Sequence, residues 1–159
     1  MAIAPNTTFV SSNVLTAAQM NALPFGICAL ATSSTTYTIT TSTVIATGMT
    51  ATFTAIANRY YKVSYYEPTI QTPSPSGSYV NVTIRETNAA GTQRAQNYVQ
   101  TPAASSFYQS NTASFISTFS AGSVTLVGCV SSNTTTGTPV AERGATSLAY
   151  IVVEDIGPA

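Results

Sequence analysis

Residues 147–156 read Ser-Leu-Ala-Tyr-Ile-Val-Val-Glu-Asp-Ile, and this run constrains the chain most. Its β-branched and aromatic residues suit a pleated surface. It does not alternate between apolar and polar. Leu148, Tyr150 and Val152 would lie on one face, Ala149, Ile151 and Val153 on the other. A strand apolar on both faces needs cover on both faces. One cover is the domain's own core. The other is a further part of the chain or a second subunit. We therefore expect a central strand of a β-sandwich in an oligomer, with Leu148, Tyr150, Ile151, Val152 and Val153 in the subunit-packing layer.

The rest of the chain supplies strands for such a sandwich. Thr50 to Ile56 sets Ala51, Phe53 and Ala55 against three threonines; Val44 to Ala46 reads as a separate short strand beyond Gly48. Tyr60 to Glu67 places Tyr61, Val63 and Tyr65 opposite Tyr60, Lys62, Ser64 and Tyr66. Tyr79 to Glu86 alternates cleanly, with Val80, Val82 and Ile84 facing in. Asn88-Ala89-Ala90-Gly91 joins it to a polar edge strand, Thr92 to Gln100. After a loop over 101–111, Ala113 to Phe119 and Ser123 to Ser131 read as a second hairpin around Ala121-Gly122. Short strands with frequent turns and no interposed helices predict an all-β antiparallel sandwich or jelly roll.

Residues 1–25 differ and are expected to form an anchoring arm ahead of a sandwich domain over 26–159. Apolar residues are sparse before residue 12, with Phe9 and Val10 the main pair. Thr16-Ala17-Ala18-Gln19 fits a capping box, and Leu15 and Met20 fit the hydrophobic staple. Pro24 limits the helix to two turns and biases Leu23 out of the helical region. So short a helix must dock on something. Phe9, Val10, Leu15, Met20 and Leu23 are the candidate anchoring residues. The alternative is that they dock on the chain's own domain.

Only 6% of residues are charged, and the formal net charge is zero. Ser and Thr make up roughly 30% of the residues, far above ordinary usage, which predicts hydroxylated outer sheet faces. Five scattered Lys and Arg make no nucleic-acid patch. No apolar run is long enough to span a bilayer as a helix. The first residues lack the charged and apolar regions of a signal peptide, so cytoplasmic synthesis is expected. Cys28 and Cys129 are then expected to be buried free thiols, with a disulfide between them as the alternative. The Asn-x-Thr triplets at Asn6, Asn81 and Asn133 follow from high Thr content.

The sequence offers little chemistry. With no His, the commonest general base and metal ligand is missing, and a Ser-His-Asp or Cys-His arrangement is excluded. No phosphate-binding glycine motif or cysteine-rich zinc spacing occurs. Of the five carboxylates, adjacent Glu154 and Asp155 point to opposite faces, and Glu67 and Glu86 end different strands. No catalytic site, cofactor or metal is expected. Arg143 is expected to pair with Asp155 or Glu154, and Arg85 and Arg94 to face solvent or Glu86. A contact surface is the better candidate: Tyr60, Lys62 and Tyr66 share a strand face, which Tyr79 would extend if its strand were adjacent. Tyrosine rings can stack on sugars or on protein.

Both ends of the chain carry a resemblance. Asn13-Val14-Leu15-Thr16-Ala17-Ala18-Gln19-Met20-Asn21, followed by Leu23-Pro24-Phe25-Gly26, resembles the opening of tail and head accessory proteins of phages infecting actinobacteria. Tyr150 to Pro158, containing Val-Glu-Asp-Ile-Gly-Pro, resembles the end of the same proteins. The resemblance implies a virion structural protein with a trimeric jelly-roll domain like those of C1q and tumour necrosis factor. It points to a small capsid-decoration or minor tail subunit, partnered by itself and by capsid or tail proteins through the arm. The alternative is a tail adhesin that binds host envelope glycan through Tyr60, Lys62 and Tyr66 or the loops at 73–78 and 132–139.

Overall fold

The computed structural model describes residues 17–72, 76–102 and 107–159. Phe9, Val10, Leu15 and the Thr16 cap lie outside the described residues, as does part of the 73–78 loop. A five-residue helix, α1 (Ala17–Asn21), precedes ten strands. These are β1 (Gly26–Ser33), β2 (Tyr37–Thr38), β3 (Ile45–Ala55), β4 (Arg59–Gln71), β5 (Tyr79–Glu86), β6 (Gln93–Gln100), β7 (Tyr108–Ser117), β8 (Gly122–Ser132), β9 (Val140–Glu142) and β10 (Ala149–Pro158).

All pairings are antiparallel and fall into two sheets. The first runs β1-β10-β4-β7, with the short β9 and β2 continuing beyond the far end of β10. The second runs β3-β8-β5-β6. Of the eight long strands, only β5 and β6 are joined as a hairpin within one sheet; every other connection crosses between sheets. That is the double Greek key of a jelly roll.

Period-2 patterning fills the space between the sheets. Tyr61, Val63 and Tyr65 of β4 and Ile151 and Val153 of β10 face Phe53, Val80, Val82, Ile84 and Leu126 of the second sheet, all buried. At one end of the core, Phe53, Tyr61 and Phe119 form a ring cluster with centroids 5.0–5.9 Å apart. At the other end, the Tyr65 hydroxyl sits 2.8 Å from Thr47 Oγ1 and donates to Glu67, which Arg143 grips.

Several expectations need correction. Residues 113–131 are not a hairpin, because β7 pairs with β4 while β8 lies between β3 and β5 in the other sheet. A small-residue turn serves a crossover as well as a hairpin. β7 also starts at Tyr108, inside the expected loop. Gly48 does not separate two strands. It makes a bulge in β3 between Ala46 and Met49, at φ 78°, which glycine adopts without steric penalty. Arg143 pairs with Glu67, not with Asp155 or Glu154; the latter two bind Arg59 and Lys62. Arg94 pairs with Glu86 at 2.5 Å. Cys129 is buried, but Cys28 is exposed, and both thiols are free.

Candidate functional site

The two sheets turn very different faces outward. On the first sheet, strand register sets the outward side chains in three cross-strand rows: Ile27-Glu154-Lys62-Ile116, Leu30-Val152-Ser64-Ser114 and Thr32-Tyr150-Tyr66-Thr112. Ile27, Leu30 and Ile116 are 63%, 56% and 59% exposed. The one ion pair on these rows, Lys62 Nζ to Glu154 Oε2 at 3.6 Å, leaves them neutral. Tyr66 and Tyr150 stack with centroids 5.1 Å apart.

This geometry merges two surfaces that the sequence kept apart. Lys62 and Tyr66, read as part of a ligand face, share it with Tyr150 and Val152, read as a subunit-packing layer, while Tyr60 pairs with Gly157 at the other end of β10. The other packing-layer residues go elsewhere. Ile151 and Val153 are inner-face residues with no exposure, so the chain's own second sheet covers them. Leu148 precedes β10 and is exposed. Tyr79 does not extend this face, because β5 belongs to the second sheet.

The outer face of the second sheet is hydroxyl- and amide-lined. Thr50, Thr52 and Thr54 stand on β3, and Thr52 and Thr125 join their hydroxyls at 3.0 Å. Among the described residues, no exposed large aliphatic side chain stands on the strands of this face, although Ile56, just past the end of β3, is 49% exposed. At its β5–β6 edge, Tyr79, Asn81, Gln96, Tyr98 and Gln100 line a groove of about 310 Å³. The sequence reading missed this constellation. A signal was present: all five are outward positions of the hairpin that it did anticipate.

A third feature holds residues 21–25 against the sandwich. Arg59, at the start of β4, donates from Nη1 to the Asn21 carbonyl and from Nη2 to the Leu23 carbonyl, each at 2.6 Å. Its Nε and Nη2 also bind both carboxylate oxygens of Asp155, at 2.5 and 2.6 Å. Its guanidinium lies 3.9 Å from the centroid of the Phe25 ring. Burial disfavours the Asp155 charge, but the Arg59 hydrogen bond and the Gly157 and Phe25 amides outweigh that, so its pKa falls below the ordinary value. Of the two anchoring candidates among the described residues, Leu23 is half-buried beside this clamp and Met20 is exposed. Residues 21–25 are therefore tied to the sandwich.

Among the described residues, no three His, Cys, Asp or Glu side chains gather as a metal site. Among them, no helix is long and apolar enough to cross a membrane. The buried Arg143–Glu67–Tyr65 cluster is closed off: burial, reinforced by the Glu67 charge, keeps the Tyr65 hydroxyl protonated well above its usual range.

No family model matches the chain, and no curated protein matches it. Solved structures do. The Eiger TNF from S. frugiperda overlays at TM-score 0.46 with 10% identity, over 86% of this chain and 94% of that one. A xylan-binding domain from Paenibacillus barcinonensis overlays at TM-score 0.31 with 12% identity, over 82% and 87% of the two chains. The enzymatically active domain of a bacteriophage CBA120 tailspike reaches TM-score 0.33 with 13% identity, over 84% of this chain and 19% of that one. At these identities and scores the likeness adds nothing to what strand pairing has already established, an antiparallel jelly roll.

Proposed function

We propose that this chain is a non-enzymatic structural subunit of a phage particle, a decoration or minor tail protein. It assembles as a homotrimer through the outer face of its first sheet. The observation that carries the reading is the asymmetry between the faces. One outer face exposes Ile27, Leu30 and Ile116 around Val152 and a neutral ion pair; the other exposes threonines and amides. A contiguous apolar patch on a soluble domain marks a contact surface. In a chain with 6% charged residues, hydroxyls are the means left for keeping a face in water. The trimer and the particle come from the resemblance at the two chain ends. Residues 1–25 serve as the attaching arm to capsid or tail, and Asn21 and Leu23 at the end of that arm are tied to the sandwich by Arg59.

Light scattering on the full chain tests assembly: the reading expects three times 16.5 kDa. Removing residues 2–16 leaves the Arg59 clamp in place. The shortened chain stays at three times its own, smaller chain mass but no longer attaches to particles lacking this subunit. A single-chain mass for the intact protein, or attachment without the arm, overturns the corresponding half of the reading.

A further inference from the structure

The geometry points to a binding site for a neutral oligosaccharide in the β5–β6 groove, built by Tyr79, Asn81, Gln96, Tyr98 and Gln100. This proposal stands apart from the assembly face, which lies on the other sheet. Asn81 pairs with Tyr98 and Tyr79 with Gln100, while Gln96 stands opposite Thr83. The five side chains therefore leave the same side of two paired strands. The Tyr79 and Tyr98 rings lie diagonally, with centroids 6.1 Å apart at 64°, so their faces form a bent aromatic floor rather than a closed stack. Tyr98 is 57% exposed.

The amides are held in place. Gln96 Nε2 donates to Asn81 Oδ1 at 3.0 Å, and Asn81 Nδ2 donates to Ser131 Oγ at 3.2 Å. Gln100 Nε2 reaches the Gly77 carbonyl at 3.4 Å, and Asn133 Oδ1 accepts from the Tyr79 backbone amide at 2.8 Å. Among the described residues, the Gln96 carbonyl and both tyrosine hydroxyls have no hydrogen-bond partner. They are left to face a ligand.

The chemistry selects the ligand class. Sugar rings present apolar C–H faces and rows of hydroxyls. Aromatic faces match the first, and amides, with both donors and acceptors, match the second. No charged side chain lines the groove. Arg85, the nearest cation along β5, is committed to the Gly91 carbonyl at 2.9 Å and to Gln93 Oε1 at 3.1 Å. A phosphate, sulfate or uronate would find no counter-charge, and a nucleic acid lacks the basic groove it needs. The volume, about 310 Å³, lies at the small end of ligand sites. It suits one or two sugar units of a longer polymer that continues across the open sheet. Because the floor is made of paired strands, little side-chain freedom is lost on binding.

The test is an array of neutral hexose and N-acetylhexosamine oligosaccharides, with uronate and sulfated oligosaccharides as the charged comparison, probed with the full chain. We expect binding confined to neutral members. Tyr98→Ala and Gln96→Ala each weaken it tenfold or more, and Tyr98→Phe retains most of it. Thr54→Ala, on the same face but distant, leaves it within twofold. Circular dichroism and mass by light scattering, unchanged in every variant, separate loss of the site from loss of fold or assembly. No neutral binder, preference for charged members, or binding unaffected by Tyr98→Ala each overturns the proposal. None of these outcomes bears on the assembly reading, which the mass tests separately.

Discussion

Arg143 and Glu67 meet in a two-point ion pair inside one end of the sandwich, Nη2 to Oε1 at 2.5 Å and Nε to Oε2 at 2.9 Å, with both side chains shut off from water. Burial works against the Arg143 cation, but Glu67 outweighs it and holds the guanidinium's pKa above its ordinary value. The same guanidinium donates to the carbonyls of Thr35 and Thr47, tying the β1–β2 connection and the β3 bulge together. Removing one partner of such a pair strands a buried charge. Glu67→Gln is expected to lose about 3–5 kcal/mol in urea unfolding. Glu67→Leu combined with Arg143→Met should lose less than the two single losses summed, because no charge is left alone. Additive losses would show that the two groups act independently.

Gly128 controls the same cluster from the second sheet. A Cβ there would stand 2.7–2.9 Å from three ring atoms of Tyr65. Tyr65 cannot swing away without releasing Thr47 and Glu67. Gly128→Ala is therefore an overpacking change and should cost about 1–3 kcal/mol, read in the same unfolding experiment. An unchanged midpoint would mean that the ring has room that the packing does not suggest.

These two sites mark where the sequence was legible and where it was not. Alternation alone placed Val80, Val82 and Ile84 inward and set Tyr61, Val63 and Tyr65 together on one face, because the two-residue period is set by the backbone. It could not say which strands share a sheet. Ala121-Gly122 turns the chain equally well into a hairpin or a crossover. The partner of Arg143 followed from that unknown, since Glu67 approaches only once β9 continues the line of β10 along β4. The five-residue groove was different, since it lies on the one hairpin the sequence did place: its members are two positions apart on each strand and come one row apart only across the register.

Asp155 gives the stability a pH dependence of known sign. Its folded pKa is depressed, so it contributes stability above the unfolded value of about 3.9 and loses it as pH falls through the lower folded value. Asp155→Asn should melt lower than the parent at neutral pH, by a nearly constant gap down to about pH 5. That gap should close at lower pH, as the parent's own carboxylate is protonated. A gap that persists to pH 2 would sink the assignment.

The two thiols should differ sharply toward a maleimide. Only thiolate reacts, and burial pushes the Cys129 thiol up to about 11 while also shielding it. Cys28 is exposed on β1, in the other sheet. Intact-mass measurement should find one label per folded chain, none on Cys28→Ser, and a second label on the parent only in denaturant. Two labels on the folded parent would place Cys129 within reach of solvent.

Neighbouring positions on β10 separate folding from assembly. Ile151 points inward with no exposure, and Ile151→Ala should cost about 2–5 kcal/mol through lost burial and a residual cavity. It should leave the subunit count unchanged. Val152 points outward beside Leu30, which is 56% exposed in the single chain. Leu30→Arg places a charge where an apolar neighbour is proposed, yet disturbs nothing inside the sandwich. Its circular dichroism should match the parent, while light scattering falls to the single-chain mass. A trimer that survives Leu30→Arg and Val152→Arg together would move the contact to another surface, for a desolvated, unpaired charge at each repeat of a symmetric interface is not tolerated.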